Sequence, residues 1–521
     1  MAKLMILGLD GVPWKLIERW VYEWNLENFK RIIKNGVYGK LISTIPCNTC
    51  PALPSFYTGK NPGNLGIFDF IKPDGSLVTH KDLKSPAFWD YLSQYGFMSC
   101  IAGTRMTYPV PEVRGVFITG ILVAGEDKRY LVYPKELWDE VKDFYPSKKE
   151  RELYEKMTKN PEKNVGRIYE FCRRNLIRQV EIFNKIAKKD DYDFKFLWYG
   201  DTDTLLHYSI KNEYYIKKLM DEIDKVLGGI DDENIFMVSD HGFGATAEYN
   251  FHLNEWLYKE GYLKMKWGLV GRYVYVAGYR IAESIIPDSV KKKILNILRD
   301  VVSNQNENKS FSKDLVITPL DNIPGVDWNK TIAHVTTDKC WGIRIIKENL
   351  DRDYEEVREE IIQKLKQLEF KGKRVIKDAW RGEEIYWGEY QDQIPDIIFL
   401  KEDMFRVRPS LVGKMVTKIK RKYGNYVGDH ESAREGIFIA YGEDIKNTGE
   451  YIGEVQIYDL APTILHMYGI PIPEDMDGRV LKEMFREGSD PYIREIEYQE
   501  VDKEKELISS KIRELRKLGK I

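Results

Sequence analysis

Asn234-Ile235-Phe236-Met237-Val238-Ser239-Asp240-His241-Gly242 is the segment on which the fold reading turns. Four successive apolar residues with no polar alternation describe a strand buried on both faces, the habit of a parallel sheet covered by helices. The run stops in a Ser-Asp-His-Gly corner, and Gly242 with Gly244 allows a tight turn there. Ligands of such sheets collect beyond the carboxyl ends of the strands. Asp240 and His241 are therefore read as site residues. They either face two neighbouring metal positions or use the turn to converge on one.

The same grammar recurs outward from this segment. Lys3 to Leu9 is a second apolar run and ends at Asp10; Phe194 to Tyr199 is a third and is followed by Asp201 and Asp203. Asp396 to Leu400 and Gly436 to Tyr441 add two more strands. Helical patterns between them complete a βα alternation. The expected fold is thus α/β, a mostly parallel central sheet with helices on both faces. One Asp at a strand end can serve as a helix N-cap, but three at corresponding places point to a shared site.

At 521 residues the chain is too long for one simple core, and a large domain with insertions or two to three domains is expected. The segments read as a core from 1–259, an inserted cap or lid over 260–319, a second part of the core over 320–486 and a charged helical tail over 487–521. The cap reading rests on the aromatic and basic stretch Trp267 to Arg280 and the helical pattern Ser289 to Val302. Asp351 to Leu368 and Asp502 to Lys517 read as amphipathic helices.

Eighty basic and 82 acidic residues give a formal charge of −2, so no global field draws in a nucleic-acid polymer or an anionic membrane. A small phosphorylated substrate is the expected partner, and a homo-oligomer is compatible with the composition. Interleaved Lys and Glu match proteins from hot environments. The run Leu4 to Leu9 is too short for a signal h-region, and the sequence has no long apolar stretch, so a cytoplasmic location without a transmembrane segment is expected. Five cysteines make a poor disulfide framework, and Cys47-Asn48-Thr49-Cys50 lacks the second pair that a structural zinc site needs.

Chemistry concentrates in three of the seven histidines. His207 lies four residues after Asp203, so a helix there places both on one face. His241 follows Asp240, and His430 stands in Gly428-Asp429-His430. Mixed imidazole and carboxylate donors suit Zn²⁺ or Mn²⁺, with Mg²⁺ admissible. Between Ser43 and Gly59 the chain is dense in hydroxyls and prolines, which fixes a hydroxyl rigidly. Thr49 in that setting becomes a nucleophile if a metal stabilises its alkoxide, and a helix cap if none does.

These motifs, taken together, resemble the alkaline phosphatase superfamily and within it the type I phosphodiesterase/nucleotide pyrophosphatase branch. They are Gly8-Leu9-Asp10-Gly11, Thr49-Cys50-Pro51 leading to Tyr57-Thr58-Gly59, Asp203 to His207, Ser239 to Gly242, Gly428 to His430 and the late Tyr458-Asp459-Leu460-Ala461-Pro462. The resemblance implies two divalent ions, one on Asp203, His207 and His430, the other on Asp10, Thr49, Asp240 and His241, with a phospho-threonine intermediate on Thr49. The branch also places an Asn after the nucleophile to hold a phosphoryl oxygen, and Cys50 to Pro54 contain none. Asn48 or the backbone at Cys50 is the expected substitute. A phosphomonoesterase or cofactor-independent phosphomutase shares the same metal set, and a silent phosphate-binding protein would be expected to have lost ligands.

Overall fold

The computed structural model describes residues 3–70, 72, 77–120, 130–231, 234–266, 325–335, 341–419 and 428–501. Its chain divides into two compact units, one formed by Met1–Phe70, Val78–Gly244 and Tyr426–Ile521, the other by Ile71–Leu77 and Ala245–Asn425.

The first unit is built on a nine-stranded sheet. Its strands are β1 (Leu4–Leu9), β2 (Val37–Ile42), β3 (Ser99–Thr104), β4 (Gly115–Thr119), β5 (Val132–Tyr133), β6 (Phe194–Tyr199), β7 (Asn234–Val238), β8 (Glu435–Gly442) and β9 (Glu450–Gln456). They lie in the order β9-β2-β8-β7-β1-β6-β3-β4-β5. The block β7-β1-β6-β3-β4 is parallel throughout, whereas β8 runs antiparallel to both β7 and β2.

Alternation along the central strands explains the two-sided burial. Leu4 and Ile6 of β1 join Phe194, Phe196 and Trp198 of β6 and Phe236 and Val238 of β7 in one apolar layer. Met5, Leu7 and Leu9 join Leu197, Tyr199, Ile235 and Met237 in the other. Successive side chains of a strand point to opposite faces, so a run with no polar member buries both. Helices Pro161–Ala187 and Glu213–Gly228 cover the second layer, and Thr49–Thr58, Phe88–Gln94 and Leu460–Met467 the first.

In the second unit, Ala333–Val335, Gly342–Ile345, Ile397–Lys401 and Ile376–Arg381 form a four-stranded antiparallel sheet. Helix Tyr354–Lys366 packs on it through Val357, Ile361, Ile362 and Leu365. The strand expected at Asp396 to Leu400 therefore exists but pairs here, outside the large sheet. A continuous apolar run signals burial and carries no information about which sheet receives the strand.

The same pairing puts the unit boundaries at positions other than those expected. Residues 325–419 group with the second unit because their strands pair with one another or, at Phe405–Arg408 and Val416–Lys418, with Tyr249–His252, and the chain returns to the first unit only from Tyr426. Most of the stretch read as a cap, including Trp267 to Arg280 and Ser289 to Val302, lies outside the described residues, as does the helix read over Asp502 to Lys517. Among the described residues no helix is long and apolar enough to cross a membrane.

Candidate active site

Four neighbouring parallel strands each deliver a charged residue just past their carboxyl ends: Asp240 after β7, Asp10 after β1, Asp201 and Asp203 after β6, and Arg105 after β3. Local bonds fix these corners. The Asp10 N–H donates to Tyr199 O at 3.1 Å, and the Thr202 hydroxyl donates to Asp10 O at 2.6 Å, tying the turn after β1 to the helix Asp201–Ser209. Ser239 Oγ donates to Val12 O at 2.8 Å, and Gly242 N–H to Ala433 O at 2.8 Å.

Two ligand groups result. In one, Asp203 Oδ1 lies 3.6 Å from His207 Nε2 and 4.0 Å from His430 Nε2. In the other, His241 Nε2 lies 3.7 Å from Asp10 Oδ1 and 3.5 Å from Asp240 Oδ2. Asp240 and His241 thus converge on one position. The groups stand side by side, since the rings of His241 and His430 stack with centroids 4.2 Å apart.

The three imidazoles are oriented alike. Nδ1 of His207 faces Gly428 O at 3.1 Å, Nδ1 of His241 faces Gly242 O at 3.0 Å, and Nδ1 of His430 faces Cys47 O at 2.6 Å. A carbonyl only accepts, so each Nδ1 carries the proton and each Nε2 turns a lone pair into the site. Backbone carbonyls orient metal-ligating histidines in this way. Burial lowers the pKa of His207 and of His430, which keeps them neutral.

The carboxylates have the complementary problem. Burial raises Asp10 well above the usual carboxylate range and pushes Asp240 up to about 7. Asp203 is also desolvated, but the facing histidines outweigh burial and hold its pKa down. Asp10 Oδ1, Asp203 Oδ1, Asp240 Oδ2 and His241 Nε2 are buried and take part in no hydrogen bond. Buried polar atoms without partners are costly. Here all four face the two clusters, and each is of a type able to ligate a metal ion. The donor set, two Asp/His groups each able to hold one ion, fits a pair of divalent cations.

Thr49 opens the helix Thr49–Thr58 and its side chain hydrogen-bonds Asp240. The loop that leads into Thr49 also carries the His430 bond at Cys47 O, so Thr49 is tied to both Asp/His groups. Asn48 caps that helix: its Oδ1 accepts the Cys50 N–H at 3.0 Å, while its Nδ2 is buried with no partner. Of the two residues expected to hold a phosphoryl oxygen, Asn48 has a spare donor. The Cys50 amide is engaged by Asn48, and the Cys50 thiol donates to Asp69 O at 3.1 Å.

The sequence profile of the type I phosphodiesterase / nucleotide pyrophosphatase family matches residues 4–326. The chain belongs to that family. Membership of the phosphodiesterase / nucleotide pyrophosphatase family supports a hydrolase of that type. Among solved structures, murine ectonucleotide pyrophosphatase / phosphodiesterase 5 is similar at 12% identity and TM-score 0.46, covering 93% of this chain and 100% of its own. An inactive variant of that murine protein in complex with AMP gives 12% and 0.47, and the human protein 13% and 0.46, each with the same coverage. No curated protein matches the chain.

Sequence reasoning missed Arg105 and the structural use of Trp198. Arg105 Nη1 sits 2.8 Å from Asp10 Oδ2, and Trp198 Nε1 donates to the same oxygen at 3.2 Å. Neither belongs to a spacing pattern, and β3, which reads Ser-Cys-Ile-Ala-Gly-Thr, is too small and polar to announce a buried strand.

Proposed function

We propose that this family member is a two-metal phosphoester hydrolase of the phosphodiesterase/nucleotide pyrophosphatase type with Thr49 as nucleophile. The observation that carries the reading is the set of four orphaned donor atoms on Asp10, Asp203, Asp240 and His241, gathered beside a hydroxyl at a helix N-terminus. Asp203, His207 and His430 would hold one ion, and Asp10, Asp240, His241 and the Thr49 oxygen the other. Zn²⁺ or Mn²⁺ suits the mixed donors, with Mg²⁺ admissible. When bound, such a pair supplies Lewis-acid charge to the attacking oxygen and to the phosphoryl oxygens.

The chain's own residues do the rest. Asp240 accepts the Thr49 hydrogen bond and orients Oγ. Oγ attacks phosphorus, the Oγ–P bond forms and the ester or pyrophosphate P–O bond breaks, leaving a phospho-threonine. Water then attacks the same phosphorus and releases Thr49. Asn48 Nδ2 is the donor that can meet a phosphoryl oxygen, in the role assigned elsewhere in the family to a later Asn. The test is hydrolysis of p-nitrophenyl phosphate and bis-p-nitrophenyl phosphate with Zn²⁺, Mn²⁺ and Mg²⁺ in turn. Wild type should turn over, the diester preferentially, and Thr49→Ala should not. Full activity in Thr49→Ala would remove the nucleophile assignment.

A further inference from the structure

Arg105, at the corner of the sheet, is a charged side chain outside the two Asp/His groups that nonetheless touches one of their members, Asp10. Its guanidinium is almost wholly buried. Nη1 pairs with Asp10 Oδ2 at 2.8 Å, and Nη2 donates to Gly200 O at 3.0 Å. Trp198 Nε1 donates to the same Oδ2 at 3.2 Å. Both donors thus crowd one oxygen of Asp10, while Oδ1 is left with no hydrogen bond and faces His241 Nε2. An arginine recruited only to neutralise a buried carboxylate would be expected to grip both oxygens in the bidentate fork that such pairs favour. This one grips a single oxygen and leaves the other aimed into the site.

The surroundings hold Arg105 to that pose. Tyr57, in the helix that Thr49 opens, donates from its hydroxyl to Arg105 O at 3.1 Å. A Cβ on Gly200 would stand 2.3 Å from Nη2 and 2.6 Å from Cζ, so only a glycine lets the guanidinium lie there. Met106, next in the chain, has φ +62, a left-handed conformation that costs a residue with a side chain and persists where the surroundings over-determine it.

We infer that Arg105 is a positioning residue: with Trp198 it locks Asp10 Oδ2, so that Asp10 presents Oδ1 alone to the cation held with Asp240 and His241. This rests on the two-metal reading above. Partners of this kind typically alter metal affinity about 10- to 100-fold when removed.

Zinc titration of the full chain against a chromophoric chelator tests it, with melting temperature recorded in parallel. Wild type should take up two ions; uptake of none would sink the functional reading and this inference with it. A His207→Ala background removes a ligand of the neighbouring group, so the Asp10 position is read alone. There Arg105→Met should weaken zinc at least 10-fold, and Arg105→Lys, which keeps the charge but not the fork, by less. In the parent chain the Asp203 position should be unchanged. Gly200→Ala leaves every charge in place, is compatible with the right-handed backbone at that position (φ −88), and displaces the guanidinium; it should reproduce the loss, and it decides the matter together with Arg105→Lys if Arg105→Met does not fold. Unchanged or tighter zinc at the Asp10 position would overturn the inference. Equal weakening at both positions with a lowered melting temperature, and a wild-type response from Gly200→Ala, would also overturn it.

Discussion

Replacing His252 by Gln should flatten the acid side of the stability profile. His252 ends the strand Tyr249–His252 of the second unit, with Nδ1 2.7 Å from Ser410 Oγ and Nε2 2.8 Å from Thr417 Oγ1. Burial is the main cause that holds its pKa down at about 4 rather than 6.5; Arg408 adds to this and Glu255 opposes it. The folded-state value is the lower one, so between pH 6.5 and 4 the unfolded chain binds more protons and stability falls as pH falls. A difference of about 2.5 in pKa at about 1.36 kcal/mol each makes the loss about 3 kcal/mol by pH 4, with none above pH 7. Gln cannot titrate and still reaches the hydroxyls. Urea unfolding of wild type and His252→Gln at pH 7, 5.5 and 4 should give curves that diverge by about that amount on acidification. NMR of ring-labelled histidine should show, among the rings that burial keeps neutral, a signal that stays neutral down to pH 4–5 and is missing from the variant. Parallel pH profiles, or titration of that ring near pH 6.5, would refute the reasoning.

Gly8→Ala should lower the melting temperature and weaken zinc uptake together: a Cβ there would lie 2.0 Å from Trp198 Cε3, and that ring is bonded to Asp10. Overpacking of this kind costs about 1–3 kcal/mol. Zinc at about 100 times its Kd should stabilise the wild type by about 2.7 kcal/mol per site, read as a rise in melting temperature, and Asp203→Asn should lose the share of one site. Phe88→Ala should cost about 3–5 kcal/mol in chemical denaturation, because Phe88 is fully buried among Phe56, Trp89, Phe194 and Phe196.

The strands that carry the site were readable because β1, β6 and β7 are largely apolar, interrupted in β6 only by the half-buried Lys195, and end in acidic corners, a pattern that fits burial on both faces. Direction was not readable: β8 is as apolar as its neighbours yet runs antiparallel, and Ile397–Lys401 belongs to another sheet. Hydrophobicity reports burial, while pairing is settled by contacts distant in sequence. Asp203 and His207 could be paired from helical spacing, but the place of His430 beside them depends on its bond to Cys47 O, 383 residues away in sequence. Arg105 had no signal at all, since a positioning residue needs only one neighbour in space and none in sequence.

The central claim is that phosphorus is attacked first by Thr49 and then by water, and stereochemistry tests it without requiring the intermediate to accumulate. A phosphorothioate diester of one configuration at phosphorus, hydrolysed by the metal-loaded enzyme in ¹⁸O-water, should give product with retained configuration, because two in-line displacements each invert. Inversion would mean a single attack by water and would contradict the role given to Thr49.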